Sequence, residues 1–203
     1  MVFFRYFAGV MKRCVIIHAY HNDNHFARDI AASYIAGAKE SGTEIREIKL
    51  DELQFGTGLI TTENDLPVIG EDIKAVIQSA KWSNHLIIIV DVNKSQIPLR
   101  LQSFIDRLFI TNAYTQPHPA FWGNDHGLNV KTARIISMLD SAAWTEFRAD
   151  GVAKYHPLHA SRLTLLGFQK VRTTTIAPVY NGVKNAYYKK WIYKMHELGT
   201  ILN

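Results

Sequence analysis

The chain has 203 residues, 47% of them apolar, with 23 Lys and Arg against 18 Asp and Glu and a formal net charge of +5. That length and apolar content suit one domain with one core, and no repeat at solenoid or propeller spacing divides it. The basic residues are scattered, with no Arg-rich run of interleaved aromatics, which argues against a nucleic-acid surface and leaves general solubility and attraction for anionic ligands.

Residues 1–10 are apolar but interrupted by Arg5, lack a basic leader, and fall far short of the ~20 residues that span a bilayer. Met11, Lys12 and Arg13 precede the first strand in the manner of an ordinary start. Residues 1–10 are therefore expected to be an N-terminal extension and 11–203 a single domain. Cys14 to Ala19 reads as the first strand. A polar turn follows, then a helix whose Phe26, Ile30, Tyr34 and Ala38 fall four apart. Cys14 is the only cysteine, so no intrachain disulfide forms and a reducing cytoplasm is the expected compartment.

Glu44 to Leu50 alternates as a second strand. After a long loop with Gly56, Gly58 and Pro67, residues 71–82 place Ile73, Val76, Ile77 and Ala80 at helical spacing. The run Leu86-Ile-Ile-Ile-Val90 suits a strand buried on both faces, which needs helices above and below it. A helix is predicted from about Pro98 to Ile110. Residues 111–129, rich in His, Pro, Gly and Asn, read as a long irregular segment carrying Tyr114, Phe121 and Trp122, a pattern typical of a binding loop or interface.

Ala133 to Leu139 makes a fourth strand, a helix covers roughly His156 to Leu166 with Gly167 as its stop, and Lys170 to Ile176 makes a fifth strand. The last helix runs from about Val183 to Leu198, with Tyr187, Trp191, Met195 and Leu198 as its apolar stripe and Gly199 as its C-terminal stop. Strands alternating with helices predict an α/β fold: a doubly wound, five-stranded parallel sheet of flavodoxin-like order 2-1-3-4-5 between two helical layers, three layers in all. Ligands then bind beyond the carboxyl ends of strands 1, 3 and 4.

Three segments carry a resemblance to a known family: the helix Pro98 to Phe109 with Phe104-Ile-Asp-Arg107, the Ala113-Tyr114 pair, and Leu163-Thr-Leu-Leu-Gly-Phe168 ahead of the fifth strand. From about Arg13 to Leu198 the chain resembles the flavodoxin-like NAD(P)H:quinone reductases, including the bacterial modulator-of-drug-activity and potassium-efflux ancillary proteins. The resemblance implies bound FMN or FAD, NAD(P)H as electron donor, a quinone-like acceptor and a homodimer. Hydride would pass from nicotinamide to flavin N5 and then to the acceptor, the protein supplying position and electrostatics.

In that family the first βα loop resembles His-Pro-Asn-x-x-Ser-Phe and holds the flavin phosphate at a helix N-terminus. Here Tyr20 stands in place of the His and His25 in place of the Ser, and both can donate hydrogen bonds, with Phe26 and Ala27 offering backbone N–H. Asn24 equally suits a plain N-cap without ligand. The third-strand loop reads Asp91, Val92, Asn93, Lys94, Ser95 where relatives carry Pro-Leu-Trp-Trp-Gly. Its main chain is expected at the flavin edge, with Lys94 compensating charge near N1–C2=O. As turn formers alone, Asp91 and Asn93 need no ligand.

The fourth-strand loop reads Asp140, Ser141, Ala142, Ala143, Trp144 in place of Thr-Thr-Gly-Gly. Ser141 and Ala142 permit close approach, and Trp144 serves either as an aromatic wall or as packing. Phe147 falls near a family Tyr and lacks its hydroxyl. By the resemblance, Tyr114, Phe121 and Trp122 form a substrate wall or dimer contact.

His18, His21, His25, Asp91 and Asp140 could be drawn together as a metal site, but their spacing matches no recognised zinc pattern and no metal is expected. No Gly-x-Ser-x-Gly elbow, Gly-x-Gly-x-x-Gly turn or Walker A loop occurs at a fitting place. The leading expectation is an NAD(P)H-dependent flavin oxidoreductase. The alternative is a flavodoxin-fold binding or regulatory subunit that has lost flavin, motivated by the missing Trp-Trp-Gly and Thr-Thr-Gly-Gly.

Overall fold

A computed structural model of the chain describes residues 12–55, 70–93, 97–115, 132–150, 163, 168, 170–179 and 185–202. Five strands, β1 (Arg13–Ala19), β2 (Glu44–Lys49), β3 (His85–Val92), β4 (Thr132–Leu139) and β5 (Lys170–Ile176), form one parallel sheet in the order β2-β1-β3-β4-β5. The register sets Ile17 beside Ile48 on one side and Ile88 on the other, and Ile88 beside Ile135. Leu86 to Val90 is buried throughout, as a strand covered on both faces must be.

The covering helices follow the same apolar spacing: α1 (His25–Glu40), α2 (Glu71–Trp82), α3 (Leu99–Thr115), α4 (Ser141–Asp150) and α5 (Asn185–Ile201), with a short 3-10 turn at Leu50–Glu52. Val15, Ile17, Leu86, Ile88 and Val90 face α2, α3 and Ala143 of α4. Cys14, Ile16, Ile87 and Ile89 face α1 and α5. Cys14 is fully buried, and burial pushes its thiol far up, so it is inert packing.

Three details differ from the sequence pattern. The helix α3 continues through Thr115, because residues 111–115 contain neither Gly nor Pro to stop it; Tyr114 therefore sits in a helical backbone. Residues 141–144, expected in a loop, open α4 directly behind β4. Gly199 lies inside α5 and is buried there. A Cβ on Gly199 would sit 2.2 Å from the Tyr34 carbonyl oxygen, and one on Gly37 would sit 2.1 Å from that of His196. The two glycines let α1 and α5 cross with their backbones in contact, so Gly199 serves tertiary packing instead of ending its helix. The expected extension at 1–10 lies outside the described residues, as does the helix at 156–166 apart from Leu163, which is helical and buried.

His85 and Arg134 are buried polar groups in the amino-terminal halves of β3 and β4. Arg134 donates to Thr174 Oγ1 at 2.9 Å beside Tyr34. His85 meets Thr132 Oγ1 through Nδ1, while its Nε2 has no partner among the described residues. Burial, then the cations Arg134, Arg172 and Lys12, pull His85 from 6.5 to about 4.

Two tests follow from this packing. Gly199→Ala should lower stability by about 2–3 kcal/mol in urea unfolding despite the better helix propensity of alanine, because two backbones must part. For His85, the unfolded chain takes up a proton as pH falls below 6.5 while the folded chain does not until about 4. Folding stability attached to the neutral ring should therefore decline between those values, by on the order of 3 kcal/mol. His85→Asn should flatten that part of the stability–pH curve, and an unchanged slope would contradict the assignment.

Candidate functional site

The turn after β1 is organised by one side chain. Asn24 caps α1 by accepting from the Ala27 N–H at 3.0 Å, while its carbonyl accepts from the Arg28 N–H at 3.1 Å and its own N–H donates to the His21 carbonyl at 2.9 Å. The amide end of the same side chain donates to Asp91 Oδ2 at 2.9 Å, and Asn93 Nδ2 reaches that oxygen at 3.2 Å. Asn24 thus ties the start of α1 to the end of β3. Asp91, expected at a flavin edge, has its carboxylate engaged in this tie.

With Ala27 and Arg28 committed, the N–H groups of His25 and Phe26 remain as first-turn donors without an intrahelical acceptor. No acidic residue occupies this first turn; Arg28 does, with its guanidinium on the ring of exposed His25. Positive charge at a helix start opposes the macrodipole, and an anion bound there relieves both. Phe26 and Ala27 side chains are buried in the core, so only their main chain can face a ligand.

A cleft of about 330 Å³ opens where the chain order reverses between β1 and β3. Ala19 of β1 with Tyr20 and His21 of the turn behind it, Asp91 of β3 with Asn93 just past it, Leu50 and Asp51 of the turn after β2, and Ile97 to Leu101 at the start of α3 line it. Leu50, Ile97 and Leu101 are buried and apolar, so the floor suits a flat hydrophobic group, while Asp51, Asp91 and Asn93 supply polar edges. Arg100 holds one wall: its Nε donates to the Leu50 carbonyl at 2.6 Å, its other arm reaches the Leu53 carbonyl, and its guanidinium lies 4.6 Å from the centre of the Phe55 ring.

Tyr20 is not a spare donor. Its hydroxyl lies 2.7 Å from His18 Nδ1, and His18 Nε2 lies 3.1 Å from Glu47 Oε2. The carboxylate accepts a hydrogen bond from Nε2–H, which leaves Nδ1 of the neutral ring to accept one from the Tyr20 hydroxyl. The expected donation from Tyr20 to a phosphate is thereby spent on His18 while His18 is neutral.

Behind β4 the Asp140 N–H donates to the Val92 carbonyl at 3.2 Å and its Oδ1 accepts from the Ala143 N–H at 2.7 Å. Asp140 is an N-cap, and Ser141 and Ala142 are exposed in the first turn of α4. Val92 is buried and serves the sheet. Trp144 stacks on Phe147, with ring centres 5.4 Å apart and planes at 18°, and packs on the core. Its packing role is the one that the structure displays.

Of the expected site residues, the cleft gathers Tyr20, Asp91 and Asn93, and His25, Phe26 and Ala27 lie at the neighbouring helix start. Lys94, Ser95, Phe121 and Trp122 lie outside the described residues, as does the Tyr114 side chain. Asp51 and Arg100 were missed, and Asn24 does more than cap. Asp51 carries no sequence signal, whereas Arg100, in the first turn of a helix preceded by a proline, is a recognisable position for anchoring a neighbouring loop. Among the described residues no group of three or more His, Cys, Asp or Glu could hold a metal ion, and no helix is long and apolar enough to cross a membrane.

A family model described as flavodoxin-like fold matches residues 11–197. No curated protein matches the sequence. Among solved structures, the chain is similar to an NAD(P)H:quinone oxidoreductase from Methanothermobacter marburgensis, at 15% identity and TM-score 0.73 over 95% of this chain and 98% of that one. It is also similar to an FMN-dependent NADH-azoreductase from Bacillus anthracis in complex with FMN, at 14% identity and TM-score 0.65 over 95% and 100%. A flavodoxin from the domain Archaea aligns at 10% identity and TM-score 0.53 over 94% and 95%. At these identities the likeness carries the fold.

The Asn24–Asp91 tie is testable by a double-mutant cycle. Asn24→Asp keeps a capping acceptor but sets a second carboxylate against Asp91, and should lose about 1 kcal/mol or more of stability. Adding Asp91→Asn restores a donor–acceptor pair and should recover most of it. Strictly additive losses in urea unfolding would show that the two side chains do not act together.

Proposed function

The chain belongs to the flavodoxin-like fold family, and from that premise we propose that it is a flavin-dependent NAD(P)H oxidoreductase delivering electrons to a quinone or similar flat electrophile. The observation that carries this reading is the cleft at the β1/β3 switch point, apolar in its floor, whose wall residue Asp91 is tied through Asn24 to the start of α1, a first turn that holds Arg28 and no acidic residue. FMN or FAD would supply the two-electron chemistry there.

The donor set suits such a group. His25 and Phe26 N–H, the His25 ring and Arg28 would hold a phosphate at the start of α1. Leu50, Ile97 and Leu101 would keep water from the flat ring, and Asn93 with the main chain of Lys94 and Ser95 would meet its polar edge. Asp91, by its bonds to Asn24 and Asn93, keeps its charge on protein donors and fixes the two loops that must grip the ligand. Ser141 and Ala142, at the start of α4, would close the far side. None of these residues is required as an acid, because hydride transfer between carriers needs orientation more than proton transfer. In this reading the chain works in the cytoplasm as a homodimer, with Tyr114, Phe121 and Trp122 at the substrate wall or contact.

A second reading, a binding or regulatory subunit without flavin, is favoured by two observations: the Tyr20 proton is engaged by His18, and Trp144 is stacked on Phe147. The two readings separate on cofactor. Purified protein mixed with FMN or FAD and freed of excess should keep a bound-flavin absorption spectrum and oxidise NADH or NADPH with menadione. His25→Asp should weaken flavin retention by placing negative charge beside the phosphate. A colourless protein after both additions would support the regulatory reading.

A further inference from the structure

Tyr20 also faces a second groove of about 330 Å³, between α1 and the β1–β2 part of the sheet. Arg28 reaches it from α1, Lys49 and the carboxylate-bearing Glu47 from β2, and Asn22 from the turn, over a floor that includes Ala32 and Ile35; the Lys49 ammonium also pairs with Glu52 at 2.8 Å. His18, only 7% exposed, stands at its base between Glu47 and the Tyr20 hydroxyl.

The direction of this chain of hydrogen bonds depends on one proton. With neutral His18, Nε2–H donates to Glu47 and Nδ1 accepts the Tyr20 proton, so the phenol oxygen offers the groove lone pairs only. With protonated His18, Nδ1–H donates to the phenol oxygen and the Tyr20 proton is released to donate outward. Tyr20 itself stays protonated throughout, since burial and then Glu47 push it up to about 12.

We infer that this groove binds a small oxyanion, a phosphate or sulfate group, with Arg28 and Lys49 supplying charge and Glu47 and His18 acting as positioning residues that turn Tyr20 from acceptor to donor when His18 is protonated. The inference does not require the flavin reading, because the groove and its charges stand without a cofactor.

The surrounding charges define where the change falls. Burial holds His18 below its ordinary 6.5; Glu47 on β2 and Glu52 of the 3-10 turn oppose this, and Lys49 adds to it. From α1, the Arg28 charge acts on the Tyr20 hydroxyl and opposes the effect of Glu47. The exposed pair His21–Asp23, 3.1 Å apart in the turn, and His25 beside Arg28 are the ionisable groups on the adjoining turn and helix start. Asp91 of β3 lies on the cleft side of Tyr20. Tighter binding therefore appears on the acid side of 6.5, and a bound oxyanion raises proton uptake by the same factor.

The test uses the full flavin-free chain carrying His21→Gln, and sulfate as probe, because sulfate keeps its charge between about pH 5 and 7.5. Nitrogen-15 NMR should place the neutral His18 proton on Nε2. Sulfate should shift resonances of His18, Tyr20 and Arg28 and bind about tenfold more tightly at the lower pH, the size of one charge-assisted hydrogen bond. Tyr20→Phe should remove most of that gain. A proton on Nδ1, no sulfate response at these residues, or an undiminished gain in Tyr20→Phe would overturn the inference. Displacement of sulfate by FMN but not by riboflavin would assign the groove to a flavin phosphate; binding unaffected by either would assign it to a free oxyanion.

Discussion

Burial of β3 on both faces is the constraint from which the rest of the architecture follows. A parallel strand made of Leu86 to Val90 leaves no side for water, so helices must lie on each face of the sheet. The parallel connections supply them, with α2, α3 and α4 on one face and α1 and α5 on the other. Because β2 and β3 flank β1 on opposite sides, the turns leaving β1 and β3 diverge above the sheet. The cleft between them results from this connectivity, before any side chain is chosen for a ligand.

What the side chains add is a fixed geometry for that opening. Asn24 serves as both helix cap and bridge to Asp91, and Asp140 repeats the capping role at α4 while its N–H reaches the end of β3. Helix starts face the same sheet edge, each bound by a polar side chain at its first turn. Arg100 secures the remaining wall through main-chain carbonyls of the segment after β2. The loops that would have to grip a ligand are thus held by hydrogen bonds within the protein, which lowers the ordering penalty of binding.

Much of the fold was legible in the sequence because its apolar spacing is regular. The range 71–82 expected for a helix coincides with α2, and Lys170–Ile176 with β5. Errors arose where tertiary contacts override local signals. Glycine near a helix end ordinarily marks a stop, yet Gly199 is there because another backbone passes within reach of its missing Cβ. The start of α4 was hidden by likeness to a family loop, although Asp140 followed by Ala143, Trp144 and Phe147 is a capped amphipathic turn. The site was less legible, since Tyr20, a plausible donor from residue type, acquires its hydrogen-bonding sense from Glu47 on another strand.

The proposed flavin site joins the β1/β3 cleft to the start of α1 where Arg28 stands. A crystal structure of the protein grown with saturating FMN tests it most directly. The phosphate is expected at the His25 and Phe26 N–H groups near Arg28, and the ring system against the cleft walls built by β1, β3 and the start of α3. Flavin bound elsewhere on the molecule, or a cleft that stays empty at saturation, would contradict it.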